Sequence, residues 1–195
     1  MYYSMNNLKE FTANFKNIPQ KKIDLFLSLA SKEKFKKNDL IAKIGEKTHY
    51  FYIIESGIIR SFYTDEKGKE FTRTIFTKQK TTGPLATLIT GEPSKLTYEC
   101  LSDCTVYKIN YNEFVALAKK DISMANLYSK MLEFIFLVME SKIYDLSALN
   151  ATERYYKLKK EIPDIDNLIP QYHIASYLNV SPVQLSRIRK EMYSK

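Results

Sequence analysis

The 195-residue chain has no tryptophan, two histidines and two cysteines, and these scarcities exclude several kinds of chemistry. Two cysteines, Cys100 and Cys104, cannot supply the disulfide framework of a small secreted fold. Their surroundings, YECLSDCTVYKI, read as two strands about a turn at Ser102-Asp103, so reduced thiols within a sheet are expected. With His49 and His173 the only histidines, no four-ligand metal set can be assembled at the usual spacings. No metal and no other cofactor is expected. A long apolar run is also missing. The longest, residues 134–139, falls far short of the roughly 20 residues a membrane span requires. The N-terminal MYYSMNNLKEF lacks the apolar segment behind basic residues that marks a secretory signal. A cytoplasmic protein without membrane association is the expectation.

Glycine is scarce too, and its placement is informative. All five glycines, Gly45, Gly57, Gly68, Gly83 and Gly91, fall between Asp39 and Asn110. In this stretch short β-branched and aromatic runs alternate with turn residues, which predicts an antiparallel β domain of sandwich or barrel type. Strands are expected over residues 40–44, 50–55, 58–64, 71–76, 95–101 and 105–110, with a hairpin turn at Asp65-Glu66-Lys67-Gly68. The connection TTGPLATLITGEPS, residues 81–94, is long for a hairpin. It reads as a binding loop carrying a short helix at residues 85–89.

Both flanks have helical texture. Residues 1–37 present Phe11, Phe15 and Ile18, then Ile23, Phe26, Leu27 and Leu29, divided by Pro19. The basic run 32–37 reads as a solvated edge. Residues 111–120 predict a short helix. From Asp121 to about Lys160 there is no proline or glycine, and one long helix is expected. Leu132, Met139 and Leu146 recur every seven residues, and Ile135 and Leu149 lie two heptads apart, which predicts a seam against a partner helix. Phe134, Phe136, Leu137 and Val138 add apolar surface on other sides, so this helix must be covered from several directions. A second copy of the chain is the expected cover, with a long core helix of a monomer as the alternative.

The formal net charge is +8. Residues 151–195 carry 8 basic and 5 acidic side chains while residues 121–150 carry 2 and 4, so the long helix is the acidic exception. A positive excess suits a polyanionic partner such as nucleic acid, with a lysine-rich solvated surface as the bland reading.

The most specific stretch is residues 170–192, PQYHIASYLNVSPVQLSRIRKEM. Pro170 can start a helix without losing a needed N–H, and Ile174, Ala175 and Leu178 give it an inner face. Asn179 tolerates the left-handed conformation that ends a helix. Ser181 is a good N-cap and Pro182 a good first residue for a second helix, whose buried face is Leu185 and Ile188. This is the pattern of a helix-turn-helix: small Ala175 lets the helices cross closely, and the second helix keeps a polar, basic face.

Gly57, the turn DEKGKE, the loop starting Gly83-Pro84-Leu85, a long helix and a C-terminal helix-turn-helix occur in one order. In this the chain resembles the CRP/FNR superfamily of bacterial transcription regulators. The resemblance implies an α+β fold: an antiparallel β roll (double-stranded β-helix) with flanking helices, a long dimerisation helix and a C-terminal helix-turn-helix domain. It implies domains at residues 1–120 (effector or sensor), 121–150 (dimerisation) and 151–195 (DNA binding). A homodimer on double-stranded DNA is implied, with RNA polymerase and an unknown small-molecule effector as further partners. Carried over residue by residue, the DNA-facing positions are Ser181, Pro182, Val183, Gln184, Ser186, Arg187 and Lys190. Arg187 matches the family's base-reading arginine, suited to bidentate contact with guanine. The dimer seam is Leu132, Ile135, Met139, Leu146 and Leu149.

The effector pocket would be lined by Arg73, Gly83, Pro84, Leu85, Ser94 and Lys95. Nucleotide-binding relatives place Glu where this chain has Pro84 and Arg where it has Ser94. Proline cannot accept a bond from ribose and serine carries no charge, so control by cyclic AMP is not expected. Lys95 is one residue off, and a one-residue shift on a strand turns a side chain to the other face. Arg73 shares a strand face with Phe71 and Ile75. It either points inward, suiting an acidic ligand, or pairs with a surface carboxylate. Two rival functions remain. A cupin-like enzyme would need several histidines and carboxylates around a metal, and the β region has one histidine. A ligand-binding β-roll module whose helix-turn-helix serves protein interaction is the other; salt-dependent binding to duplex DNA discriminates it.

Overall fold

The computed structural model describes residues 18–78 and 80–193, so Phe11 and Phe15 lie outside the described residues. The elements run α1 (Gln20–Ser28), β1 (Ala30–Phe35), β2 (Leu40–Ala42), β3 (Tyr50–Ser56), β4 (Ile59–Thr64), β5 (Glu70–Phe76), β6 (Thr81–Thr82), α2 (Leu85–Thr90), β7 (Thr97–Cys100) and β8 (Cys104–Asn110). There follow α3 (Tyr111–Ala118), α4 (Ile122–Ala148), α5 (Ala151–Glu161), α6 (Ile165–Leu168), α7 (Gln171–Tyr177) and α8 (Pro182–Tyr193). The strands form two four-stranded sheets, ordered β1-β8-β3-β6 and β2-β7-β4-β5. This is an α+β fold built on an antiparallel β roll.

The chain separates into two compact units, Met1–Ser61 with Ile75–Ile135, and Phe62–Thr74 with Phe136–Lys195. In the first unit β3 is buried on both faces, which is why its sequence YFYIIES lacks a polar alternation. Phe51 and Ile53 join Tyr107, Ile109, Phe26, Phe114, Met124 and Leu127 in a core under the helices. Tyr52 and Ile54 face the other way, to Ile41, Ile59, Tyr98, Cys100, Cys104 and Val106. Both cysteines are free and buried in that second cluster. The turn between β3 and β4 is held tightly. Gly57 has φ +98°, and a Cβ there would lie 2.5 Å from the Cys104 sulfur and 2.6 Å from the Asp103 carbonyl oxygen, so only glycine fits.

Two sequence expectations change here. Residues 30–35 are a strand and not helix: β1 pairs antiparallel with β8, from Ala30 opposite Ile109 to Phe35 opposite Cys104. It is an edge strand of lysines and glutamates, a composition that discourages pairing with other chains and leaves no hydrophobic alternation to read. Its anchor is tertiary. Lys32 pairs with the buried Glu55 on β3 at 2.6 Å, and the Tyr107 hydroxyl on β8 donates to the same carboxylate at 2.8 Å. The second change is the long helix, which stops at Ala148 and does not continue to Lys160. Asn150 breaks it by capping α5: its side chain accepts from the Glu153 N–H at 3.0 Å, and the Glu153 carboxylate accepts from the Asn150 N–H at 2.8 Å. That reciprocal capping box satisfies two helix-start donors.

Helix α4 changes character along its length. Met124, Leu127 and Met131 are buried. Beyond them Phe136, Leu137, Val138, Met139 and Ile143 are 46–66% exposed. In length and hydropathy α4 is sufficient to cross a membrane. It nevertheless carries Lys130, Glu133, Glu140, Lys142 and Asp145, and its first turns are sunk in the β-roll core.

Candidate functional site

The C-terminal pair α7–α8 is set by local chemistry. Pro170 is the N-cap of α7 and not its first residue, while His173, Ile174 and Ala175 are buried. The helix ends with Asn179 at φ +56°. The Val180 N–H donates to the Ala175 carbonyl at 3.0 Å and the Asn179 N–H to the Ser176 carbonyl at 3.1 Å, the two bonds of a Schellman motif with asparagine in the left-handed position. The Ser181 hydroxyl then accepts from the Gln184 N–H at 3.1 Å, starting α8. Leu178, Leu185 and Ile188 are buried. Ser181, Pro182, Val183, Gln184, Ser186, Arg187 and Lys190 are all exposed, so the structure gathers these seven residues on the open side of one short helix.

Three residues that brace this pair carry no sequence signature. Arg154 on α5 donates to the Leu178 carbonyl through Nε at 3.3 Å and Nη2 at 3.1 Å, and to the Leu149 carbonyl through Nη1 at 2.6 Å. It thereby occupies the carbonyl of Leu178, the residue that caps the end of α7. Asp166 on α6 is a buried hub. The Tyr155 hydroxyl and the Lys159 ammonium donate to its Oδ2 at 2.6 and 3.0 Å, and Arg189 of α8 stands 3.8 Å from Oδ1. Burial alone would raise the Asp166 pKa, but the Tyr155 and Lys159 hydrogen bonds and the Arg189 charge outweigh it and hold the carboxyl below its ordinary range. So Arg189 is tied to the body of its unit, whereas Arg187, two residues earlier, is exposed and makes no ion pair among the described residues. Lys142 on α4 donates to the Tyr177 carbonyl at 3.1 Å and lies over the Tyr177 ring. Only the tertiary fold brings Arg154, Asp166 and Lys142 to these partners, so their separation in sequence hid them.

A second contact in the same unit involves the β4–β5 hairpin. Ser176 on α7 accepts from the Thr72 N–H at 2.8 Å and donates to the Glu70 carbonyl at 3.3 Å. Since β5 is an edge strand, one hydroxyl takes the place of a neighbouring strand there.

The loop expected to hold an effector is also defined. Gly83 has φ +132°, and a Cβ on it would meet the Phe51 Cα at 3.3 Å. Pro84 is the N-cap of α2 and Leu85 its first residue. Ser94 is buried, and its hydroxyl is engaged within its own turn, donating to the Leu96 carbonyl at 2.7 Å and accepting from the Leu96 N–H at 3.2 Å. Lys95 is exposed. Arg73 is exposed as well, so the inward orientation considered from the sequence is corrected: on β5 Thr72 and Ile75 are buried and Arg73 is not. The buried cation is Arg60 on β4, 3% exposed and paired with Glu99 on β7 at 2.6 Å. The Thr82 hydroxyl at the loop's entrance is buried with no hydrogen-bond partner among the described residues. On α4 the seam residues divide: Leu132 and Ile135 are half-buried, Met139 and Leu146 are exposed, and Leu149 falls just past the end of the helix.

The family model of the cyclic nucleotide-binding domain matches residues 32–121. No curated protein matches the chain. Among solved structures, FixK2 from Bradyrhizobium japonicum superposes with a TM-score of 0.73 at 19% identity, covering 85% of each chain. A protein described as a cAMP-binding regulatory protein, from Silicibacter pomeroyi, gives 0.68 at 21% identity over 96% of this chain and 88% of that one. A protein described as a transcriptional regulator of the Crp/Fnr family, from Eubacterium rectale, gives 0.71 at 15%, over 95% and 88%. At such identities the likeness speaks for the fold. The chain thus matches the cyclic nucleotide-binding domain over residues 32–121 and, over most of its length, has the fold shared by these solved regulators.

Proposed function

We propose that the protein is a homodimeric, sequence-specific DNA-binding transcription regulator, with α7–α8 as its helix-turn-helix. The observation that carries this reading is the α7–α8 pair: a Schellman turn at Asn179 and a Ser181 cap fix a helix whose buried side is Leu185 and Ile188. Its open side offers Gln184, Ser186, Arg187 and Lys190. Such a helix has the dimensions and donors to enter a major groove. The exposed apolar half of α4 fits a second copy of the chain, which would bring two recognition helices to one face of DNA. On this reading residues 1–120 sense an effector, 121–150 dimerise and 151–195 bind DNA, and no catalytic role is assigned. Cyclic AMP does not control the protein on this reading, because the loop offers Pro84 and an internally bonded Ser94 where a cyclic phosphate and ribose would need partners. Selection of bound duplexes from a random pool tests the reading. Enrichment of an inverted repeat with half-sites one helical turn apart is the expected result; recovery of no sequence at moderate salt would leave the protein-interaction alternative.

A further inference from the structure

We propose that Val183 is a specificity-determining residue that reads the methyl group of a thymine about two base pairs from the base pair met by Arg187. The inference deepens the DNA-binding reading above and rests on it. Val183 is 62% exposed in the second position of α8, while the helix buries Leu185 and Ile188, so this valine contributes nothing to the core. Residues three and four apart on a helix are surface neighbours, which puts Ser186 and Arg187 beside it. Ser186 is short and leaves the valine methyl groups uncovered. A helical valine keeps essentially one rotamer, so those methyl groups stand at a fixed place.

The chemistry then selects the base. Residues at the N-terminal end of a recognition helix meet base edges. Valine offers no donor or acceptor, and pressing it against an amino or carbonyl edge strips that edge of water without replacing the bond. In the major groove the C5-methyl of thymine is the apolar edge group. Four residues along α8 advance about 6 Å at ~1.5 Å each, close to two base-pair steps of ~3.4 Å.

The test begins with the operator enriched by the full chain. Each thymine of a half-site is replaced in turn by deoxyuridine, which removes only the methyl group, and binding is measured at fixed salt for the unmodified protein and for Val183→Ala. One position per half-site is expected to lose about fourfold in affinity, the worth of one buried methyl at ~0.8 kcal/mol, and Val183→Ala is expected to bind the thymine and uridine duplexes alike. An unchanged urea midpoint for the variant certifies its fold, as the exposure of the side chain predicts. Uridine replacement that is neutral at every position, a loss that persists in Val183→Ala, or an enriched half-site without thymine each overturns the role of Val183 and leaves DNA binding standing. If the random pool yields no enriched duplex, both readings fall.

Discussion

At the scale of single residues, the groups that matter most are cations and what occupies them. Ser94, which the resemblance sets where nucleotide-binding family members would carry an arginine, has its hydroxyl committed to Leu96. Arg60 is spent on Glu99 and Arg73 is exposed. Calorimetric titration with cyclic AMP is therefore expected to show no micromolar binding. A lost charged hydrogen-bond partner costs about 1.5–3 kcal/mol, and each ~1.4 kcal/mol is a factor of ten in affinity; a micromolar dissociation constant would sink this expectation. Lys142 gives a second residue-scale test. Burial pushes its ammonium pKa down from 10.5 to about 8, with Asp145 and Glu161 opposing that shift and Arg154 and Lys157 adding to it. Between about 8 and 10.5 the unfolded chain holds the proton that the folded chain releases, so the contribution of Lys142 to stability rises with pH across that window and is most unfavourable below it. Urea denaturation of the unmodified protein and of Lys142→Met should show the stability difference moving in favour of the unmodified protein from pH 7.5 to 10. A difference that is flat in pH would mean that Lys142 titrates normally.

At the scale of elements, the contact between α7 and the edge of β5 is the least expected pairing. An unpaired strand edge exposes donors and acceptors, and Ser176 satisfies Thr72 N–H and Glu70 carbonyl with a single hydroxyl. Ser176→Ala is expected to cost about 1 kcal/mol, the usual net worth of a lost hydrogen bond, and to speed amide exchange at Thr72 more than at other β5 amides. Unaltered exchange at Thr72 would show that the hairpin and α7 do not hold each other in solution. The start of α5 illustrates the opposite situation, an element end fixed by neighbouring residues alone, through the Asn150–Glu153 box.

At the scale of the whole molecule, assembly is the open quantity. Phe136, Leu137, Met139 and Ile143 leave a contiguous length of α4 apolar and exposed in the single chain, and an exposed apolar surface of that kind marks an interaction site. Met139→Asp, at a position 46% exposed in the single chain, should fold but halve the mass seen by light scattering, and lose operator affinity along with the second recognition helix. Half-sites spaced about 34–36 Å apart follow from two helices on one DNA face. A monomeric unmodified protein with full operator affinity would rule the dimer out.

The sequence by itself determined what depends on near neighbours along the chain. The turn at Asp65–Gly68, the strands from β2 to β5, the short helix at Leu85, the left-handed Asn179 and the Ser181 cap all follow from residues within a few positions of one another. The exposed face of α8 was legible for the same reason, since its 3.6-residue period separates Leu185 and Ile188 from the polar positions. What the tertiary structure decided depends on groups far apart in the chain. Strand β1 exists because β8 offers it a hydrogen-bonded edge and Glu55 a charge partner; its own sequence of alternating charges has no face to bury. The break at Asn150 was within reach of the sequence, in the Asn-Ala-Thr-Glu spacing, but the helical propensity around it masked the cap. Arg154, Asp166 and Ser176 acquire their roles only when segments 24, 23 and 104 residues away close on them, because a hydrogen bond requires its two atoms within about 3 Å and sequence distance says nothing about that.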